Sequence, residues 1–462
     1  MFSSGSWTYA SLSAAVALAA LAPLAAHAAP IYSLTSTIAI PAATSNATGK
    51  FSGYDLSTFD PATQLFYVTD RSNNGVDVFS AKTNSFQARI GAGLFAGSTP
   101  SNDNAGPNGL TIANVSGGKL LIAGNGPSNL IAFSLGTDGV TVNGAPRIIS
   151  TAVAGTAVPP NRVDGVAFAP GANTILAANN AANPGFLTLI DNATSAVRRS
   201  IVLDGTTVSS GTTKYPNVNG DGVEATIFNT VRGTYFVAVP VLNGAGSGGV
   251  IELDATSGNL LNTYDFNALG LTGICGPTGI AQGAGASMVV ACGDPGTVGN
   301  LPKQTVVLDP AGQGSITTVT QIAGGDQVAY DPVRNVFFEA TRYQPGGPIL
   351  GIIDGATGLF SQSLAITAND HSVAVDPVSG EVYVPYGAGN TTCPNGCIAV
   401  FSPAGVPVPE PGSAPLVAAA LAMLGLAAFT QRARRPATSA RRAQQWRRAR
   451  HRGRPGRSRA PS

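Results

Sequence analysis

Short alternating runs of apolar and polar residues recur along residues 54 to 403, separated by turn-forming residues. In each unit an apolar strand is followed by a turn such as DPATQ, APGAN or DPVSG, then by a second alternating strand and a third such as GVDVFSA or CIAVFSP. A fourth strand, such as SFQARI or AVRRSIVL, follows in most units. Period-two alternation between turn residues predicts antiparallel β-strands. Seven units begin at Tyr54, Pro107, Val163, Asp221, Pro277, Asp326 and His371.

Four short strands repeated about every 45 to 60 residues are typical of β-propeller blades. One four-stranded sheet cannot bury both of its faces, so neighbouring sheets stack around an axis. The seventh unit lacks a fourth strand, and IYSLTSTIAIP at 31 to 41 is a spare strand that can complete it. We therefore predict an all-β fold, a seven-bladed propeller over residues 30 to 405 closed by the N-terminal strand. The alternatives are a β-helix, for which the period is too long, and a β-sandwich, which the repeats disfavour.

The composition agrees with strands and tight turns. The chain has 462 residues, including 57 Gly and 32 Pro, and only 11% are charged. The net charge of +2 hides a strong asymmetry, because 12 of the 26 basic residues lie between Arg432 and Arg459. The remaining 14 Lys and Arg face 24 Asp and Glu, so residues 1 to 431 have a net charge of −10. An acidic body with a basic tail does not indicate a specific nucleic-acid binder.

Residues 1 to 29 are predicted to form a secretory signal peptide. An apolar core over residues 11 to 29 ends in the A-x-A-like site Ala26-His27-Ala28, although no Lys or Arg precedes it. The alternative is an uncleaved anchor helix, but Pro23 interrupts the short run. We expect cleavage near Ala28 or Ala29, and hence export.

The cysteines are consistent with export. An even number outside the cytoplasm favours disulfides. Cys393 and Cys397 can close a small loop around a Pro-Asn-Gly turn, and Cys275 and Cys292 flank two consecutive strand-like runs that can form a hairpin. The alternative, a four-thiolate zinc site, needs two closely spaced cysteine pairs, and Cys275 and Cys292 are too far apart in sequence to form one.

Two stretches resemble the YVTN-type repeat propellers. They are LFYVTDRSNNGVDVFSAKT at 65 to 83 and GEVYVPYGAGNTTCPNGCIAVFSP at 380 to 403, each with a Tyr-Val strand, an Asn- or Gly-containing loop and a further apolar strand. The resemblance covers about residues 31 to 405 and implies the fold alone, because such propellers carry many activities.

Residues 406 to 435 resemble a PEP-CTERM sorting signal. Val408, Pro409, Glu410 and Pro411 match the motif, an apolar segment spans 414 to 429, and arginines follow it. The resemblance implies a bacterial envelope protein that is held transiently in the inner membrane, cut by an exosortase-type enzyme and delivered to the surface or extracellular matrix. The alternative is an ordinary C-terminal anchor, in which the segment is not removed.

Such signals usually end after the basic cluster, but here residues 436 to 462 follow it. This arginine-rich, low-complexity tail is predicted to be disordered. It can bind nucleic acid or anionic lipid without specificity. The interpretations we favour are a cytoplasmic stub or an artefact of a misplaced stop codon.

Several kinds of site are excluded by residue types. Between residues 30 and 405 there is one histidine, His371, and no tryptophan. A multi-histidine metal site is therefore excluded, and a blade set without tryptophan does not resemble the WD40 or quinoprotein propellers. No C-x-x-C-H motif for covalent haem is present, and no G-x-S-x-G accompanies His371 to suggest a catalytic triad. We assign no catalytic residue.

Polar residues lead the innermost strand of each unit, so they are predicted to converge at one mouth of the central channel. Oxygen ligands there can hold Ca²⁺, and the candidates are Asn108, Asp164, Asp221 and Glu224. Other predicted channel-lining residues are Asp55, Thr278, Asp326 and His371. NGL at 108 and DGV at 164 and 221 resemble gluconolactonase-like propellers, which have six blades and an axial divalent ion. The alternative is that these residues cap turns. The Asn-rich loop at 102 to 108 lacks the spacing of a calcium-binding hand.

These features predict an exported, surface- or matrix-associated propeller that acts as a non-enzymatic binding module for a cell-surface or matrix polymer or protein. One alternative is a lactonase-like hydrolase with a divalent ion on the propeller axis. Another is a purely structural matrix component. No cofactor other than calcium is suggested, and no specific nucleic-acid partner is expected.

Overall fold

A computed structural model describes residues 30–152, 161–180, 182, 184–203, 212–214, 220–293 and 304–404, without the side chains of 212–214, 220 and 221. The predicted signal peptide, the sorting motif at 408 to 411, the apolar segment at 414 to 429 and the tail lie outside these residues. So does the side chain of Asp221. The described chain forms seven four-stranded antiparallel sheets arranged in a ring, a seven-bladed β-propeller.

Each blade runs from an innermost to an outermost strand. Blade 1 consists of β2 (Tyr54–Asp60), β3 (Leu65–Asp70), β4 (Gly75–Ser80) and β5 (Ser85–Ile90). Blade 2 consists of β6 (Leu110–Val115), β7 (Gly118–Asn125), β8 (Asn129–Leu135) and β9 (Arg147–Ser150). Blade 3 consists of β10 (Val166–Ala169), β11 (Thr174–Asn179), β12 (Phe186–Asp191) and β13 (Val197–Val202), with β14 (Thr212–Lys214) added in parallel to β13. A three-residue 3₁₀ turn, Asn102–Asn104, precedes blade 2.

The remaining blades follow the same plan. Blade 4 consists of β16 (Thr226–Asn229), β17 (Thr234–Val239), β19 (Gly249–Asp254) and β20 (Leu260–Asp265), and a separate pair is made by β15 (Gly220–Asp221) and β18 (Val241–Leu242). Blade 5 consists of β21 (Pro277–Gln282), β22 (Met288–Cys292), β23 (Thr305–Asp309) and β24 (Ser315–Val319). Blade 6 consists of β25 (Gly325–Asp331), β26 (Val336–Thr341), β27 (Ile349–Asp354) and β28 (Phe360–Ala365). Blade 7 contains β29 (Ala374–Val375), β30 (Val382–Tyr386) and β31 (Cys397–Pro403).

The N-terminal strand closes the ring, as predicted. β1 (Tyr32–Ala39) pairs antiparallel with β31, from Tyr32 opposite Pro403 to Ala39 opposite Cys397. It forms the outermost strand of blade 7. Because both ends of the propeller sequence meet in one sheet, blade 7 packs against blades 6 and 1 as a complete four-stranded unit.

The turn between the first two strands of a blade has a recurring local chemistry. In blade 6, Asp331 Oδ1 accepts hydrogen bonds from the backbone N–H groups of Val333 and Arg334, at 2.8 and 3.1 Å. The turn ends at Asn335, which has a left-handed φ of 53°. A short polar side chain and a residue that tolerates positive φ are what such a tight turn requires. Asn173 ends the equivalent APGAN turn of blade 3 with a φ of 51°.

The core consists of apolar layers between neighbouring blades. One such layer contains Leu176 and Leu187 of blade 3 with Tyr235 and Val237 of blade 4, all fully buried. Because a middle strand packs on both faces, both alternating sets of its side chains are buried, as in β3 and β26. This burial is the main stabilising term of a stacked-sheet fold.

Both predicted disulfides are present. Cys275 pairs with Cys292 next to the β21–β22 hairpin, and Cys393 pairs with Cys397 at the start of β31. No helix among the described residues is long and apolar enough to cross a membrane. The segment proposed for transient anchoring, 414 to 429, lies outside the described residues.

Candidate functional site

The innermost strands of the blades surround a central cavity with a volume of about 840 Å³. Apolar side chains from several blades form much of its wall, among them Leu110, Ile112, Val166 and Ile280. A ring of charged and polar side chains lies where the innermost strands begin. We call these residues the polar ring, and they are Asp55, Arg71, Arg162, Asp164, Glu224, Thr278, Asp326, Arg342 and His371.

The structure brings six of the eight residues predicted from the sequence into this ring, namely Asp55, Asp164, Glu224, Thr278, Asp326 and His371. Asn108 lies behind it and is fully buried. Its Nδ2 donates to the carbonyl groups of Ala105 and Val163, at 3.0 and 2.8 Å, and its Oδ1 accepts from Arg71. All of these partners are protein groups, as expected for a residue that organises a turn.

The ring also contains three arginines, which the sequence pattern of acidic and polar residues at the innermost strands does not reveal. Arg71 and Arg342 directly follow the second strand of blades 1 and 6, and Arg162 lies just before the first strand of blade 3. The sequence does contain a signal for two of them. LFYVTDR at 65 to 71 and VFFEATR at 336 to 342 are the same stretch of two repeats, so their final arginines occupy equivalent positions.

Each arginine pairs with a ring aspartate. Arg71 Nη2 forms a close ion pair with Asp55 Oδ2 and also donates to Asn108. Arg162 Nη2 lies 3.2 Å from Asp164 Oδ2. Arg342 Nη2 lies 2.9 Å from Asp326 Oδ2. The three arginines and three aspartates therefore form three ion pairs around the mouth, and these pairs carry no net charge.

The local environment shifts the pKa values of two acidic groups of the ring in opposite directions. Burial alone would raise the pKa of Asp55, but the Arg71 guanidinium and a hydrogen bond from His371 outweigh it, so its pKa lies below the usual range. Burial and the nearby Asp164 and Asp326 carboxylates raise the pKa of Glu224 well above its usual value. Asp55 is therefore ionised, whereas Glu224 favours its neutral form and can both donate and accept a hydrogen bond.

His371 and Thr278 complete the ring. The His371 ring stacks on Tyr54 with a centroid distance of 4.9 Å, and its Nε2 lies 3.5 Å from Asp55 Oδ1. Its Nδ1 lies 2.5 Å from the Asn369 carbonyl oxygen. Thr278 Oγ1 donates to the Gly325 carbonyl at 3.0 Å. These contacts hold both side chains in fixed positions at the mouth.

A second cavity of about 560 Å³ adjoins the ring over blades 4, 5 and 6, and we call it the side groove. It shares Glu224, Thr278 and Arg342 with the central cavity. Its floor includes Pro240 and Gly293, which directly follow the second strands of blades 4 and 5. These are the positions that carry arginine in blades 1 and 6, so the groove exists where the long side chain is replaced by a small residue.

Some buried polar atoms of the ring have no hydrogen-bond partner. Among the described residues these include Asp164 Oδ1, Arg162 Nε and Arg342 Nε. Leaving such atoms unpaired costs free energy. These atoms, one acceptor and two donors, are buried in the wall of the mouth, so they gain a partner only when their side chains turn toward the cavity.

The polar ring also bears on the predicted calcium site. Within residues 30 to 404, as far as they are described, no group of three or more His, Cys, Asp or Glu residues is arranged to hold a metal ion. Asp164 is paired with Arg162, and the Asn108 amide is bonded to protein groups. The side chain of Asp221 is not described, so calcium binding by Asn108, Asp164, Asp221 and Glu224 stays a prediction.

No protein-family model and no curated protein matches this chain. Solved structures do match. A structure titled Kuenenia stuttgartiensis hydrazine synthase is 12% identical, with a TM-score of 0.52 over 73% of this chain and 93% of that chain. The Cps50 (Swd1) β-propeller domain of Myceliophteria thermophila is also 12% identical, with a TM-score of 0.53 over 80% of this chain and 99% of that domain. At this identity the likeness shows the propeller fold alone.

Proposed function

We propose that this protein is exported to the bacterial cell surface or extracellular matrix, where it acts as a non-enzymatic binding module. The observation that carries the export proposal is that all four cysteines are paired in disulfides. Disulfides persist in oxidising compartments outside the cytoplasm. The predicted signal peptide at 1 to 29 supports the same destination.

The polar ring supports a binding role. Its ion pairs and hydrogen bonds hold the charged side chains in place, and a preorganised polar surface around a cavity favours recognition of a ligand. A cavity of about 840 Å³ is large enough for a small molecule or the end of a polymer. The partner in this proposal is a polymer or protein of the cell surface or matrix.

The route to the surface is also part of the proposal. The resemblance of Val408, Pro409, Glu410 and Pro411 to a PEP-CTERM motif supports cleavage by an exosortase-type enzyme after transient anchoring in the inner membrane. The lactonase alternative is not favoured by a specific observation, because the ring aspartates pair with arginines.

The test follows the full chain in a bacterium with an exosortase, using an antiserum against the propeller. We expect a shortened mature form in the surface or matrix fraction. Glu410→Ala in the motif should leave a longer form in the membrane fraction. Arg454→Ala in the tail is the matched control and should be processed normally. Cytoplasmic protein of full length, or identical processing of both variants, would contradict the proposal.

A further inference from the structure

We infer that the mouth of the central channel binds a neutral carbohydrate, with one sugar unit in the polar ring and further units along the side groove. The inference deepens the proposed binding function of the same site and rests on it. Three features of the mouth support it: the charge balance of the ring, its unpaired hydrogen-bonding atoms and the continuity of the two cavities.

The charge balance favours a ligand without net charge. The guanidinium groups of Arg71, Arg162 and Arg342 are matched by the three aspartates they contact. An anionic ligand would have to displace an aspartate from its arginine, and a cationic one would have to displace the arginine. Because removing one partner leaves a buried charge unpaired, either exchange is costly. A neutral ligand leaves the pairs intact.

The free hydrogen-bonding capacity favours hydroxyl groups. Asp164 is nine-tenths buried and has an unpaired acceptor, Oδ1, whereas the unpaired Nε atoms of Arg162 and Arg342 are donors. Glu224 accepts one bond from Asn180 Nδ2 at 2.8 Å. A hydroxyl group is both donor and acceptor, so vicinal hydroxyls can serve neighbouring acceptors and donors. These three atoms are buried in the wall of the mouth, so a bound hydroxyl reaches them only when the side chains that carry them turn toward the cavity.

The cavity walls suit the rest of a sugar ring. Below the polar ring the channel is lined by apolar side chains such as Ile112, Val166 and Ile280, against which C–H faces can pack. Glu224, Thr278 and Arg342 belong to both cavities, so a ligand held in the ring can continue into the groove without leaving the protein. Tyr343 lies at the groove with about half of its surface exposed, where it can contact a second sugar unit.

The test is isothermal titration of the full chain with neutral glucan, mannan and β-1,4-N-acetylglucosamine oligomers of one to six units, beside oligogalacturonate. We expect at least one neutral series to bind with one site per chain, more tightly as the chain lengthens from one to three units. Arg342→Ala should weaken that binding about tenfold, because it removes a charged donor. Glu224→Gln, which keeps the shape of the side chain, should weaken it less.

Arg198→Ala is the matched control. Arg198 pairs with Asp191 on an outer strand, and its side chain is 33% exposed, against 32% for Arg342. The Arg198→Ala variant should bind the oligomers as the unaltered protein does. A thermal melt of each variant checks folding, and if Arg342→Ala is unfolded, Glu224→Gln decides. Binding only to oligogalacturonate, no binding to any neutral oligomer, or affinity unchanged in every folded ring variant would overturn the inference.

Surface localisation separates this inference from the proposed function. If the protein reaches the matrix and adheres there, but no neutral oligomer binds, the carbohydrate inference fails and the binding-module proposal stands. If the protein stays in the cytoplasm, the proposed function fails whatever the titration shows.

Discussion

The Thr305 hydroxyl of blade 5 donates a hydrogen bond to the Glu339 carboxyl group of blade 6, with its Oγ1 at 3.0 Å from Oε1 and 2.9 Å from Oε2. Glu339 is fully buried in the interface between the blades. Burial raises its pKa to about 8, although the Thr305 hydrogen bond acts in the opposite direction. The interface therefore contains a carboxyl group that is protonated at neutral pH.

The pH dependence of stability should report this group. Between its ordinary pKa of 4.5 and about 8, the folded protein keeps a proton that the unfolded chain has lost. The free energy of unfolding should therefore fall as pH rises through this interval, at about 1.4 kcal/mol per unit. Glu339→Gln should flatten the fall, because the amide does not titrate. Urea unfolding at pH 5, 6.5 and 8 measures the free energy of unfolding of both proteins.

A control variant of the same chemistry is available in blade 7. Glu381 accepts a hydrogen bond from the Tyr383 hydroxyl at 2.9 Å and is only partly buried. Glu381→Gln leaves the Glu339 carboxyl group in place, so this variant should still lose stability between pH 5 and 8. The account of Glu339 fails if Glu339→Gln loses stability between pH 5 and 8 as steeply as the unaltered protein does.

Glu252 of blade 4 should show the opposite behaviour. Burial alone would raise its pKa, but hydrogen bonds from Arg232, Asn262, Thr234 and Tyr264 outweigh it and lower the pKa. The stabilisation is therefore present above its ordinary pKa of 4.5 and is lost as pH falls through the lower folded value. Glu252→Gln should cost about 1–3 kcal/mol at pH 7 and less at pH 3.

Urea unfolding at the two pH values measures the Glu252 effect. Glu381→Gln is again the control, because Glu381 is only partly buried. A partly exposed carboxylate contributes less to stability than a buried one that accepts several hydrogen bonds, so this variant should lose less stability than Glu252→Gln at pH 7. Equal losses for Glu252→Gln at pH 7 and pH 3 would show that its charge is not the source of the stabilisation.

The closing strand offers a test within a single β-strand. On β1, Ile38 is 4% exposed and packs between blades 7 and 1, whereas Leu34 is 44% exposed. Ile38→Ala should cost about 2–4 kcal/mol through lost burial and a cavity. Leu34→Ala should change stability by less than about 0.5 kcal/mol. Equal losses in denaturant unfolding would show that β1 does not close the ring with this face inward.

The two disulfides should contribute unequally to the stability of the protein. Cys275 and Cys292 are 17 residues apart, and Cys393 and Cys397 are 4 apart. In the chain-entropy account a cross-link stabilises more when its loop is longer, about 3 kcal/mol for the first loop and about 2 for the second. Replacing both members of the first pair by Ser should therefore lower the melting temperature more. The reverse order would contradict the chain-entropy account here.

Chelation tests the predicted calcium site. Because Asp164 already pairs with Arg162 and the Asn108 amide bonds to protein groups, EDTA should leave the melting temperature unchanged. The measurement is a thermal melt of the full chain with EDTA and with added CaCl₂. A rise in melting temperature with calcium that disappears in Asp164→Ala would instead support the ion site.

The fold was predictable because its signals are local. The DPATQ, APGAN and DPVSG turns, the alternating strands and the repeat spacing each lie within one unit, and strands that follow one another in sequence pair into one blade. The spare strand at 31 to 41 was the natural partner for the incomplete seventh unit, and β1 does pair with β31. Both disulfides followed from cysteines placed beside turns.

The candidate site was predictable only in part. The residues that head the inner strands could be found from the repeat alignment, and six of the eight lie in the polar ring. Arg71 and Arg342 end equivalent repeat stretches, but they follow the second strands of their blades, so the pattern of polar residues at the inner strands does not include them. Arg162 has no equivalent arginine in the other repeats, so its pairing with Asp164 had no repeat signal.

By itself, the amino-acid sequence determined the blades, their number and the closure of the ring, because alternation, turn chemistry and repeat length are short-range properties of the chain. Only the tertiary structure decided the chemistry of the mouth. Asp55 and His371 come from opposite ends of the propeller sequence and meet where blade 1 adjoins blade 7. Whether a carboxylate faces an arginine, a histidine or another carboxylate depends on such long-range neighbours, which no single repeat specifies.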